Sequence, residues 1–116
     1  MTLDDILLLA DRMPSGRNDQ RAMAKFMVEV SEFWSAVDRG DLVGALTEIA
    51  DLVYYYAKMS QFHRQQAEHD LFSALQKLGC DLDQGVKLAY AKYSLRARPG
   101  NPKNDSEERK ACLCAI

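Results

Sequence analysis

The segment from Leu42 to Met59 constrains the fold more than any other part of the 116-residue chain. It reads LVGALTEIADLVYYYAKM, and apolar residues occupy nearly every side of the helix that this pattern predicts. A helix that is apolar on all sides is expected to be buried. Its two acidic residues, Glu48 and Asp51, are three positions apart and form one pair on one side of the helix. Burial of two like charges is costly unless a raised pKa, a cationic side chain or a divalent metal ion compensates them.

A second acidic pair lies upstream at the same spacing. Glu29 and Glu32 are three residues apart on a stripe that flanks the apolar side of the preceding predicted helix. Only a tight turn fits between the two helices, so both pairs lie at similar distances from that turn and are expected to face each other. Four carboxylates in apolar surroundings suit Mg²⁺ or Mn²⁺. The alternative is an ordinary solvated face on each helix, with Lys25 or Lys58 pairing with a nearby carboxylate.

The two acidic pairs carry a resemblance to a known family. An E-x-x-E motif that begins at Glu29, followed by an E-x-x-D motif that begins at Glu48, resembles the signature of the all-α nucleoside triphosphate pyrophosphohydrolases. This MazG-like group also includes dimeric dUTPases and phosphoribosyl-ATP pyrophosphohydrolases. The likeness covers residues 19 to 103. It implies hydrolysis of a nucleoside or deoxynucleoside triphosphate to the monophosphate and pyrophosphate, with Mg²⁺ or Mn²⁺ as cofactor. The resemblance also implies a house-cleaning role, which is the removal of non-canonical nucleotides, and assembly as a homodimer or homotetramer.

The same resemblance implies roles for individual residues. The four acids are expected to be both the metal ligands and the catalytic groups, one of them directing or deprotonating the attacking water: Glu29, Glu32, Glu48 and Asp51. Lys92-x-x-x-Arg96 is similar to the basic motif of the group, so both residues are expected to contact phosphates. A solvated cationic helix end is the alternative for this pair. Lys103 is a third candidate for phosphate contact, and Trp34 is expected either to stack on the base or to belong to the core.

Charge is distributed unevenly along the chain. The formal net charge is −2 and the pI is about 5.6, which gives no overall attraction to nucleic acid or to an anionic membrane. Residues 1–84 contain 14 acids and 8 Lys or Arg, whereas the remainder contains 3 acids and 7 Lys or Arg. An acidic body with a basic final segment suits a metal ion and phosphate. No apolar run approaches the roughly 20 residues that span a bilayer. Three cysteines without a disulfide-framework spacing indicate a reducing cytoplasm.

Capping signals and apolar periodicity predict an all-α fold, an antiparallel helical bundle of four to five helices. Start signals stand at Thr2, at Asn18 or Asp19, at Asp41 and at Asp81, and stop signals stand at Pro14, Gly16, Gly40, Gly79, Pro99 and Pro102. The third helix has no clear stop after Met59, and it is expected to continue through, or break within, residues 65–68. Residues 1–98 are expected to form one MazG-like helical domain. Residues 99–116 are expected to form a polar tail that is poorly ordered unless a ligand or a neighbour holds it.

Two classes of function remain open at the level of sequence. The first is a nucleotide pyrophosphohydrolase, whose substrate is a general nucleoside triphosphate or, alternatively, dUTP or phosphoribosyl-ATP. The second is a non-catalytic helical oligomerisation module whose acids form salt bridges between chains. The all-round apolarity of the third predicted helix in so small a chain favours an oligomer in either class. A metal-dependent rise in melting temperature distinguishes the two classes.

Overall fold

The computed structural model describes residues 1–13, 18–100 and 103–116. These residues form six α-helices and no strand, which confirms the all-α class and exceeds the predicted four to five helices. In chain order the helices are α1 (Leu3–Ala10), α2 (Asp19–Asp38), α3 (Leu42–Ala57), α4 (Gln61–Lys77), α5 (Leu82–Ala97) and α6 (Asp105–Cys114). None of the helices in these ranges combines the length and the apolarity that a bilayer crossing requires.

Local capping explains where α2 and α3 begin. The side chain of Asn18 accepts a hydrogen bond from the backbone N–H of Arg21 at 3.0 Å, and Asp41 accepts one from the backbone N–H of Gly44 at 3.0 Å. Between the helices, Gly40 has a φ of 75°, a left-handed conformation that glycine adopts without a Cβ penalty. Because only three residues join them, α2 and α3 pack against each other as the predicted hairpin.

The boundary between the third and fourth helices differs from the prediction. The third helix was expected to continue through residues 65–68 or to break within them, whereas α3 ends at Ala57. Ser60 then caps α4 by accepting a hydrogen bond from the backbone N–H of His63 at 3.4 Å. Arg64 then donates to the carbonyl oxygens of Tyr56 and Ala57 at 3.1 and 2.8 Å. Carbonyls in the last turn of a helix lack the N–H partners of the interior. A side chain from α4 therefore closes the end of α3.

The third helix is buried on all sides, as its composition predicts. Twelve of its 16 residues are buried, and it packs against each of the other five helices. The helices of one chain are thus sufficient to cover α3. The sixth helix supplies part of this cover, so the burial of α3 does not by itself call for partner chains. The oligomeric state itself stays a prediction.

The polar C-terminal segment, which was expected to be poorly ordered unless a ligand or a neighbour holds it, contains a helix that neighbouring helices hold. Asn104 accepts a hydrogen bond from the backbone N–H of Glu107 at 3.1 Å and so caps α6. The helix packs on α3 and α5. Its anchors are the fully buried Cys112 and the nearly buried Glu108. The polar composition did not predict this helix, because part of what holds it against α5 is an ion pair made by the carboxylate of Glu108. Three of the predicted stop signals lie outside the described residues: Pro14, Gly16 and Pro102.

Candidate functional site

The α2–α3 hairpin brings together the acids that the sequence singled out. One carboxylate oxygen from each of Glu29, Glu48 and Asp51 lies within 4.8 Å of the other two. Glu32 lies one turn further along α2, is exposed and lines the same cleft. Asp51 is buried, whereas Glu29 and Glu48 are partly buried. Three of the four predicted ligands therefore form a cluster, and the fourth stands at its edge.

In two of these carboxyl groups, one oxygen accepts no hydrogen bond from the part of the chain that the structure describes. Glu29 Oε2 and Glu48 Oε2 are buried and have no hydrogen-bond partner among the described residues. Burial, followed by the proximity of Glu48 and Asp51, raises the pKa of Glu29 to about 10. Burial also raises the pKa of Glu48. Two carboxylates this close cannot both ionise cheaply, so the pair retains a proton or takes up a cation.

Asp51 has its own cationic partner, which comes from α5. Lys92 Nζ lies 2.9 Å from Asp51 Oδ1 and 2.9 Å from Asp51 Oδ2, and it donates to the backbone oxygen of Thr47 at 3.2 Å. The hydroxyl of Tyr93 donates to Asp51 Oδ1 at 2.7 Å. Both members of the Lys92–Asp51 pair are more than nine-tenths buried. Such a pair persists only because its hydrogen bonds are satisfied, so it fixes Asp51 in one orientation.

Arg96 is held by an acid from α6. Its Nε and Nη2 atoms donate to the two carboxylate oxygens of Glu108 at 2.9 and 3.1 Å, a two-point pairing. Its guanidinium carbon lies 4.9 Å from the centre of the Tyr93 ring. Glu108 Oε1 is also 4.0 Å from Lys92 Nζ. Lys92 and Arg96, the two residues of the basic motif, are therefore each paired with a carboxylate of the same chain.

These groups line one cleft with a volume of about 420 Å³. Its lining has seven acidic and five basic side chains. The predicted acids lie on α2 and α3, whereas four of the five cations come from α5 and the segment that follows it. Among these is Lys103, which is exposed and 3.9 Å from Asp105. Trp34 does not line the cleft, is 40% exposed and contacts Phe33 edge to face. Two aromatic side chains near the acids, Tyr55 and Tyr93, do line the cleft.

The donor set fits a divalent cation. Octahedral Mg²⁺ takes oxygen ligands at about 2.1 Å, which places ligand oxygens about 3 to 4 Å apart. The three clustered carboxylate oxygens are within 4.8 Å of one another, so small side-chain rotations bring them to that spacing. The unpartnered oxygens of Glu29 and Glu48 are the atoms that such an ion would satisfy. Glu32 lies at the edge of the cluster as a further oxygen donor.

Sequence reasoning missed the residues that hold the site from α6. Glu108 pairs with Arg96, and Arg109 Nη2 lies 3.0 Å from Asp41 Oδ1, which lowers the pKa of Asp41 through their hydrogen bond. Asn104, followed three residues later by Glu107, is a helix-start signal that could have revealed this helix. The expected alternative partners of the acids, Lys25 and Lys58, are not those seen, because Lys92 occupies that role.

Comparisons with known proteins returned no match. A scan against protein-family models, a search of curated proteins and a search of solved structures each found nothing similar to this chain. The geometry of the cleft is therefore the basis for a functional proposal.

Proposed function

We propose that this chain is a Mg²⁺-dependent nucleotide pyrophosphohydrolase. It hydrolyses a nucleoside or deoxynucleoside triphosphate to the monophosphate and pyrophosphate, acting in the cytoplasm as a homodimer or homotetramer. House-cleaning of non-canonical nucleotides is the role that such an activity serves. The observation that carries the proposal is the cluster of Glu29, Glu48 and Asp51, with two buried carboxylate oxygens that lack a donor.

The presence of both acids and cations in one cleft supports phosphate as the ligand. The acids of α2 and α3 attract a cation, and Lys92 and Arg96 of α5 line the same cleft, with Lys92 in contact with Asp51. Mg²⁺ held by such carboxylates neutralises phosphate charge and makes water more acidic. Arg96 uses Nε and one Nη2 hydrogen on Glu108, which leaves further N–H groups for a phosphate oxygen. Lys103 is exposed beside the cleft and can approach the outer phosphates.

In this proposal, a water oxygen bonds to a phosphorus atom of the Pα–O–Pβ bridge as the bridging bond breaks. The proton of that water passes to one of the clustered carboxylates. A carboxylate accepts that proton only while it is ionised, and a divalent cation held by the cluster would favour the ionised form of Glu29 and Glu48, which burial alone opposes. Tyr93 and Lys92 hold Asp51 in a fixed orientation, so that group acts as a ligand.

A structural role is the second candidate, and one feature favours it. Asp51, Lys92, Arg96 and Glu108 already form a buried charge network without any ligand. In that case the acids serve to attach α5 and α6 to the hairpin, and the chain is a helical oligomerisation module. This candidate predicts no metal affinity in the micromolar-to-millimolar range and no pyrophosphate release.

The deciding experiment measures pyrophosphate release from a panel of triphosphates, including dUTP and phosphoribosyl-ATP, with Mg²⁺ or Mn²⁺. The wild-type protein is expected to release pyrophosphate, and Glu48→Gln is expected to lose at least about 100-fold in rate, since one donor of the cluster is replaced by a neutral amide. Glu68→Gln is the matched control, because this exposed residue of α4 is not in the cleft lining. Full activity in Glu48→Gln would contradict the proposed role of the cluster. A wild-type protein that releases no pyrophosphate and shows no thermal shift with either metal would favour the structural role.

A further inference from the structure

Between Ala24 and Ser35, one side of α2 faces solvent without the charged residues that a solvated helix side normally carries, and Arg21 and Asp38 follow at its two ends. Phe26 and Phe33 point into the core and are fully buried. The opposite side, called here the outward face, consists of exposed residues only: Ala24, Met27, Val28, Ser31, Trp34 and Ser35. None of these side chains is charged. The side of a soluble helix that is turned away from the core is usually polar and charged, so the outward face resembles a surface that another helix covers.

The arrangement of large and small residues on this face suits helix packing. Met27, Val28 and Trp34 are 46%, 52% and 40% exposed. Positions 24, 27, 31 and 34 follow the alternating intervals of three and four residues that define a seam between two helices. The small residues Ala24 and Ser31 alternate along this seam with Met27 and Trp34. A second helix can therefore come close at the small positions while the large side chains fill the space between.

We propose that the outward face of α2 binds the same face of a second copy of this chain, with the two helices antiparallel about a two-fold axis at Ser31. A two-fold axis makes the contact self-complementary. Equal counting from Ser31 in both directions places Trp34 against Val28 of the partner subunit and Met27 against Ser35 of the partner subunit. Large side chains thereby meet smaller ones. This inference gives a surface to the homo-oligomer included in the proposed function, but it does not require hydrolytic activity.

Charges at the two ends of the face favour the antiparallel arrangement. Asp38 lies one turn beyond Trp34, and Arg21 and Lys25 lie beside Ala24; the three charged residues are exposed. Within the described ranges, none of the three forms an ion pair in its own chain. The same counting from the axis places Asp38 opposite Ala24 of the partner subunit, close to the two cations there. A parallel arrangement would instead bring like charges together.

The outward face also borders the acid-lined cleft. Ser31 and Ser35 line a side pocket of about 310 Å³ together with Glu32, Arg39 and Glu48. A second copy seated on the face would cover this edge of the cleft and restrict the access of water from that side. Assembly and the site are therefore physically connected through α2.

Sedimentation equilibrium at micromolar concentration tests the contact directly. The wild-type protein is expected to have at least twice the 13.1 kDa mass of one chain. Ser31→Arg, which places a cation at the proposed axis, is expected to halve that mass. Leu8→Glu is the matched control, because this residue of α1 is 62% exposed and lies outside the face. Circular dichroism should show the same helix content in all three proteins, since both substituted side chains are exposed.

A charge exchange tests the antiparallel geometry. Asp38→Arg alone, and Arg21→Asp with Lys25→Asp alone, should each lower the mass, because each variant then has like charges at both ends of the contact. An equimolar mixture of the two variants should recover the wild-type mass, since every end then pairs opposite charges. A wild-type protein that stays at the mass of one chain would overturn the inference. So would a Ser31→Arg variant of unchanged mass, or a mixture that fails to recover. These readouts are masses, so a failure of pyrophosphate release leaves them unaffected.

Discussion

Replacement of Glu29 by glutamine is expected to stabilise the folded protein near neutral pH when divalent metal is removed. Glu29 lies against Glu48 and Asp51 with a buried oxygen that has no donor. Glutamine has nearly the same shape, carries no charge and supplies an N–H donor to the neighbouring carboxylate. The substitution therefore removes the free-energy cost of holding a proton on this buried carboxyl group while it keeps the packing of the hairpin.

The size of the effect follows from the pKa of Glu29. Its value is about 10 in the folded protein, against 4.5 for the unperturbed group. Below pH 4.5 both states carry the proton, whereas between 4.5 and about 10 the unfolded chain ionises first, so the free energy of unfolding falls as pH rises. A rise to about pH 7.5 crosses roughly three pH units of this interval. Without solvent screening, this lowers the free energy of unfolding by about 4 kcal/mol. Solvent screening of a half-buried carboxylate reduces this to about 1–2 kcal/mol.

Urea denaturation in EDTA measures this difference. At about pH 7.5 the free energy of unfolding of Glu29→Gln should exceed that of the wild type by about 1–2 kcal/mol, and the melting temperature should rise by roughly 5 °C. The difference should shrink towards zero as the pH falls to about 4.5. Glu68→Gln, an exposed control on α4, should show no such pH-dependent gain. Addition of Mg²⁺ should raise the melting temperature of the wild type more than that of Glu29→Gln. A variant that is no more stable than the wild type between pH 5 and 8 would refute the argument that this carboxylate is strained without a cation.

Two further substitutions test the network that holds the cleft. Glu108→Ala leaves Arg96 without its two-point partner and should lower the free energy of unfolding by about 3 kcal/mol in urea. The neighbouring Glu107→Ala, at an exposed position, should cost less than about 1 kcal/mol, and equal losses in both variants would contradict the role given to burial. Tyr93→Phe removes the hydroxyl that donates to Asp51 at 2.7 Å and should cost about 1–2 kcal/mol in the same assay. An unchanged midpoint for Tyr93→Phe would show that this bond does not orient the carboxylate.

The helical hairpin and its acids were readable from sequence because their signals are local. Asn18 and Asp41 cap α2 and α3 through backbone N–H groups three residues away. Gly40 occupies a left-handed turn between them. Once these ends are fixed, helical periodicity alone brings Glu29 and Glu48 to the same height on facing sides. The all-α class followed from the same periodicity.

The sequence also misled at two places, for physical reasons. The turn at Ser60 carries neither glycine nor proline, and the end of α3 is closed by Arg64, whose role depends on α4 folding back. The polar composition after residue 100 suggested disorder, yet Glu108 is buried by its pairing with Arg96. Hydrophobicity does not report a helix that is attached by an ion pair.

Sequence by itself determined the helical class, the α2–α3 hairpin and the meeting of its acids, because backbone capping and helical spacing act within a few residues. Only the tertiary structure decided which cations face those acids. Lys92 reaches Asp51 across 41 residues of sequence, and Arg109 reaches Asp41 across 68. Pairing over such separations depends on how the packed helices place long side chains, and no local pattern encodes it.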